Sequence, residues 1–192
     1  MEYPVPETLS LNERRGMNRR SVLAGTAATA CLTPALLALP LASAAASDTV
    51  PTEKLMAKGE LPDITVGNKD AKVTIVEYAS MTCPHCANFH TTVYPKLKEQ
   101  YIDTGKVLFV MREFPLDQLA AAVSMLTRCA GEEKAPAMIS LFFETQDQWR
   151  TRNPVPKLLE ISKQAGLTQE AFEKCLDDQD TLGKLARQRD KA

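Results

Sequence analysis

The apolar positions of this chain change rhythm near residue 115. Before it, Lys72 to Ala79 (KVTIVEYA) and Lys106 to Phe114 (KVLFVMREF) are short β-branched and aromatic runs bounded by turn residues, which reads as two buried strands. Asp63 to Val66 suits a short edge strand, and Asn68-Lys69-Asp70 and Asp103-Thr104-Gly105 suit turns. Between the two longer strands a helix is predicted from Pro84 to about Tyr101. Proline is tolerated in a first helical turn, where its missing N–H is not needed, and Pro95 predicts a kink. Strand, helix and strand at this spacing make a βαβ unit with parallel strands and a right-handed crossover. After residue 115 the pattern is helical: Leu116 to Ala130, Ala135 to Trp149, Val155 to Ala165, Gln169 to Leu176 and Thr181 to Arg189, punctuated by Gly131, Asn153-Pro154 and Gly166. The expected class is α/β, with residues 63–115 as the βαβ half and 116–192 as a helical region.

The start of the chain follows neither rhythm. Asn18-Arg19-Arg20 precedes an uncharged run from Val22 to Leu41 that ends in the small residues Ala42 to Ser47. A basic start, an apolar middle and a small-residue exit are the parts of a secretory signal, and the paired arginines resemble the twin-arginine type. Residues 1–46 are therefore expected to be an export signal cleaved after Ala44 or Ala46, and residues 47–62, with Pro51 and Pro62, a linker. An uncleaved anchor, a lipid anchor on Cys31 and a true start at Met17 are the competing readings. Export places the mature chain in an oxidising compartment, the periplasm, where disulfides persist. The formal net charge of −1 gives no electrostatic case for nucleic acid.

Chemistry concentrates at Cys83-Pro84-His85-Cys86, at the junction of the first long strand and its helix. A nucleophilic cysteine must be a thiolate. At a helix N-terminus, unpaired backbone N–H groups and the positive end of the helix dipole favour that anion. His85 can add a hydrogen bond or charge, and a stabilised dithiol form makes the disulfide a stronger oxidant. Cys83 is expected to be the attacking cysteine and Cys86, one turn on, the resolving one. A structural disulfide between Cys83 and Cys86 competes with this reading. A zinc site from Cys83, Cys86, His85 and His90 has too few ligands at suitable spacing. Haem attachment requires histidine where Ala87 stands. His90 alone reads as an ordinary helix-face histidine.

Val76 to Cys86 (VEYASMTCPHC) resembles the strand and active-site segment of the DsbA family of thiol-disulfide oxidoreductases, and Phe89, Tyr94-Pro95 and the run from Lys106 to Pro115 are also similar. The resemblance covers residues 60 to 190. It implies a thioredoxin-like core with a helical insertion, and disulfide formation in exported, cysteine-containing proteins by exchange at Cys83 and Cys86. It further implies a DsbB-type membrane reoxidase as partner, with no metal and no organic cofactor. A disulfide reductase or isomerase is the rival activity. Glu77 matches a buried acidic residue of the family implicated in proton transfer. Desolvation would raise such a pKa, whereas the bland alternative pairs Glu77 with a lysine such as Lys106. The family's cis-proline segment and last strands have no counterpart after Pro156. The corresponding expectations are a fold lacking its C-terminal strands, a sheet edge left unpaired, poor folding of this chain alone, and weak activity.

Cys129 and Cys175 lie 46 positions apart in separate predicted helices with apolar neighbours. Two buried thiols are one reading. The other is a structural disulfide, as some DsbA-like proteins carry in the helical region; the oxidising compartment favours it, and such a bridge contributes on the order of 4 kcal/mol.

Overall fold

The computed structural model describes residues 49–192, so the signal reading of 1–46 and Cys31 lies outside the described residues. The strands are β1 (Ile64–Gly67), β2 (Val73–Ala79) and β3 (Val107–Glu113), in the spatial order β1-β3-β2. β2 and β3 run parallel, from Val73 opposite Val107 to Ala79 opposite Glu113, as the crossover predicts. β1 is antiparallel to β3, with Ile64 opposite Met111. Gly67 ends β1 at φ 108°, and a Cβ there would stand 2.6 Å from the carbonyl oxygen of Val107, so both backbone and space require glycine.

The expectation of two buried strands holds for one of them. β3 lies between two neighbours and is buried along nearly its whole length. β2 is half-exposed, with Val73 52% and Tyr78 40% accessible. Its apolar composition is the same, but among the described residues its outer edge has no neighbouring strand.

The helices are α1 (Thr52–Leu55), a single turn inside the expected linker, then α2 (Pro84–Thr92), α3 (Tyr94–Leu97), α4 (Gln118–Cys129), α5 (Ala135–Glu144), α6 (Gln146–Trp149), α7 (Val155–Gln164), α8 (Gln169–Leu176) and α9 (Gln179–Lys191). The helix expected over Pro84 to Tyr101 breaks at Val93, ahead of Pro95, and finishes in a π-helical turn over Lys98–Ile102. Proline cannot donate to the preceding turn, so the ladder is interrupted there. The helix expected over Ala135 to Trp149 divides at Thr145, whose hydroxyl bonds back to the Leu141 carbonyl at 2.6 Å. This break re-aims α6.

The core joins both halves: Phe109 of β3, Met81 of the following loop, Phe142 and Phe143 of α5, and Trp149 of α6 are all fully enclosed. The Trp149 indole N–H finds the Phe142 carbonyl at 2.8 Å. Arg128 of α4 donates to Glu113 of β3 at 2.6 Å and to the Pro62 carbonyl at 3.2 Å, tying helical region, sheet and N-terminal arm together. Cys129 of α4 and Cys175 of α8 form a disulfide.

Candidate active site

β2 delivers the chain to a loop, Ser80 to Thr82, and Cys83 then caps α2 with extended backbone (φ −75°, ψ 120°) while Pro84 opens the helix. The Cys83 carbonyl accepts from the Ala87 N–H at 3.1 Å, and the Cys83 N–H donates to the Ser80 carbonyl at 3.1 Å. Cys83 and Cys86 are both free thiols and half-buried.

Residues far along the chain fix this loop. The Thr82 hydroxyl donates to Asp117 at 2.7 Å and lies 3.2 Å from the Ser80 hydroxyl. Asp117 is also the N-cap of α4, accepting from the Ala120 N–H at 2.7 Å. Gln146 of α6, only 4% exposed, gives its amide N–H groups to the carbonyls of Met81 at 2.8 Å and Cys83 at 3.0 Å. The helical region thus grips the loop from two sides. An open groove beside it is lined by Thr82, Asp117, Leu119, Arg150 and Pro154.

The two thiols are pushed in opposite directions. Partial burial raises Cys83, but the N–H groups of Cys86 and His85, the Cys86 thiol and the charge of Arg150 outweigh it, and the net shift is downward. His85 contributes through its backbone; its side chain is exposed. Cys86 packs against the core, and burial, the Cys83 thiol and the negative field of Glu77 push it up to about 11. One sulfur is therefore the better anion and the other the better thiol.

Beneath them lies a pair that the spacing of residues does not disclose. The Glu77 carboxylate bonds the imidazole Nε2 of His90 at 2.9 Å. The suggested lysine partner is elsewhere: the Lys106 ammonium sits 5.6 Å from the ring centre of Tyr101. His90 is likewise no ordinary helix-face residue, being 4% exposed and the one buried residue of α2.

The structure gathers Glu77, Cys83, His85 and Cys86 at one end of β2, whereas Cys129 and Cys175 bridge α4 and α8 in the helical region. Among the described residues there is no cluster of three or more His, Cys, Asp or Glu side chains fit to hold a metal. Asp117, expected inside a helix starting at Leu116, is instead the cap of that helix. Gln146 and Arg150 were not legible, because nothing in their local sequence marks them.

Residues 60–192 match the thioredoxin family model Thioredoxin_4. The crystal structure of Wolbachia pipientis alpha-DsbA1 superposes with a TM-score of 0.67 at 35% identity, over 73% of this chain and 71% of that one. The chain belongs to the thioredoxin family, in its DsbA branch. This DsbA-like chain is also 40% identical over 131 residues to a Rickettsia bellii protein named "Putative protein-disulfide oxidoreductase", covering 67% of the chain and 51% of that relative. BdbD from Bacillus subtilis, at 21% identity and a TM-score of 0.60, shares the fold. The DsbA-like chain spans about half the length of the curated relatives it matches, 51% and 47% of two Rickettsia proteins.

Proposed function

We propose that this chain is an exported thiol-disulfide oxidoreductase that forms disulfides in proteins outside the cytoplasm. The observation that carries the reading is the pair of free thiols at a helix start, Cys83 capping α2 with extended backbone and Cys86 one turn on, packed against the core. In the oxidised state a substrate thiolate attacks the Sγ of Cys83. The Cys83–Cys86 bond breaks and Cys86 leaves with the electron pair. A second substrate thiolate then attacks the substrate sulfur of the mixed disulfide. Cys83, the better anion, leaves as thiolate. The substrate gains a disulfide, and the chain holds the two electrons as a dithiol. The groove between Thr82, Asp117 and Arg150 offers an approach to Cys83.

The signal-like residues 1–46 and the disulfide between Cys129 and Cys175 support a periplasmic setting. Cysteine-containing exported proteins are the substrates, and a DsbB-type membrane protein accepts the electrons. The test is oxidation of a reduced dicysteine peptide by the oxidised chain. With oxidised glutathione as the disulfide, the Cys83 thiolate of Cys86→Ser is expected to attack it, release one glutathione thiolate and accumulate the mixed disulfide, and Cys83→Ser to form none on mass spectrometry. Equal trapping by both variants would sink the assignment of roles. No exchange by the parent would sink the function.

A further inference from the structure

A peptide that brings its cysteine to Cys83 along the neighbouring groove passes Thr82, Asp117, Leu119, Arg150 and Pro154. We propose that Arg150 is a specificity-determining residue of that groove, favouring extended segments with aspartate or glutamate beside the reacting cysteine over segments with lysine or arginine there. The inference deepens the exchange reading and rests on it.

The place of Arg150 is built from the core outward. Trp149, fully enclosed, fixes the C-terminal end of α6 through its bond to the Phe142 carbonyl. At the other end, Gln146 holds the Cys83 carbonyl at 3.0 Å. The Arg150 N–H donates to the Gln146 carbonyl at 2.9 Å, and the Thr151 N–H to the Trp149 carbonyl at 2.8 Å. The turn that grips the active-site loop therefore also sets Arg150 at its edge, and the charge of Arg150 is felt at Cys83.

That charge is uncompensated. Arg150 is exposed, and among the described residues its side chain makes no hydrogen bond or salt bridge. Asp147, three positions earlier and exposed, does not pair with it. The carboxylate across the groove is already engaged. One oxygen of Asp117 accepts from the Thr82 hydroxyl at 2.7 Å and the other from the Ala120 N–H at 2.7 Å. Its charge also faces the positive end of α4. Leu119 and Pro154, both half-buried, are neutral, and Arg152, exposed two positions on, adds charge of the same sign as Arg150. What the groove offers a ligand is thus a free cation beside a sulfur, over a partly apolar floor.

The step it selects is the exchange described above: the substrate thiolate bonds to the Sγ of Cys83, the Cys83–Cys86 bond breaks, and Cys86 leaves with the electron pair. An exposed charge at the edge of a binding surface acts mainly on the rate of productive encounter and is screened by salt. The preference therefore belongs to the second-order rate and weakens as ionic strength rises.

The test uses the oxidised full chain and two reduced dicysteine peptides, identical except for aspartate or lysine beside the reacting cysteine. Neighbouring charge also shifts the peptide's own thiol, so each second-order rate is divided by that peptide's thiolate fraction. The corrected acidic-to-basic ratio is expected to be about tenfold at low salt, the low end of what charge steering contributes, and to shrink toward one as salt is added. Arg150→Gln should bring the ratio close to one, Arg150→Lys should keep most of it, and Arg150→Glu should invert it. Any effect of Arg150 on the Cys83 thiol alters both peptides alike and cancels in the ratio, so a residue that acts only on Cys83 or on folding would leave the ratio where it was. A parent ratio of one, or a ratio that Arg150→Gln and Arg150→Glu leave unchanged, overturns the assignment. A parent that oxidises neither peptide is a different result: it removes the proposed function itself, and the preference with it.

Discussion

One helical turn separates two sulfurs that would be equivalent in water. Cys83 sits where the N–H groups of Cys86 and His85 converge, and Cys86 sits against the core above Glu77. The difference has a consequence for stability that depends on pH. A thiol lowered by folding adds stability that is fully present above its unfolded value of ~8.5 and is lost as pH falls through the folded value. A thiol raised by folding acts oppositely. Above ~8.5 the unfolded chain releases the Cys86 proton more readily than the folded chain, so stability declines until the folded value of about 11 is reached. The dithiol form, compared with the disulfide form, should therefore gain stability with pH through the Cys83 titration and lose it again at alkaline pH. Paired denaturant titrations of the two forms across pH check this. A difference that does not vary with pH would contradict the assignment of opposite shifts.

Among the secondary-structure elements, α6 matters beyond its length of a single turn. It exists because Thr145 interrupts what would otherwise be one long helix with α5, and the interruption turns Gln146 toward the loop before Cys83. The Met81 carbonyl is reached by the Gln146 amide in a fully enclosed setting. Replacing Gln146 by Leu keeps the volume but removes the donor, and a buried acceptor left without a partner costs ~1–3 kcal/mol. The expected result is a loss of that size in denaturant unfolding, together with slower peptide oxidation, because the carbonyls of Met81 and Cys83 lose their anchor. Unchanged stability would contradict the anchoring role of Gln146 and leave the loop to the Thr82–Asp117 and Leu116–Ser80 bonds and the packing of Met81. The helix starts expected at Ala135, Val155 and Gln169 coincide with the observed ones, while those expected at Leu116 and Thr181 shift to Gln118 and Gln179, where Asp117 and Asp178 cap the helices. The break at Thr145 was not readable from sequence, since threonine is tolerated within helices and its back-bond to Leu141 is one outcome among several.

For the whole molecule, the helical region and the sheet are coupled through buried charge as well as through apolar packing. Glu113 is 1% exposed at the end of β3, and Arg128 of α4 reaches it while also holding the Pro62 carbonyl. Truncating one partner of such a pair strands the other in a medium of low polarity, at ~3–5 kcal/mol. Arg128→Met is expected to lower stability by about that amount, and the double variant Arg128→Met/Glu113→Leu should recover much of it, because no charge is then left unpaired. Thermal unfolding of the three chains checks the order. The disulfide between Cys129 and Cys175 ties α4 to α8 within the same region, so the surface that grips the active-site loop is itself braced.

The sequence alone determined the parts of this protein that are local. The strand, turn and helix around Cys83-Pro84-His85-Cys86 follow from β-branched runs, a proline suited to a first helical turn, and a cysteine at the cap, all readable within about a dozen residues. The parallel pairing of β2 with β3 follows from their spacing. Only the tertiary structure decided the rest. The exposure of β2 depends on what stands beside it and not on its composition. His90 changed from a helix-face residue to the partner of Glu77 because the strand and the helix meet there, across 13 positions of sequence. Gln146 reaches Cys83 across 63 positions. Hydrophobic period and capping report what a residue does to its own turn of chain. Which distant carbonyl or carboxylate it meets is fixed by how the helices pack on the sheet, and no short-range pattern encodes that.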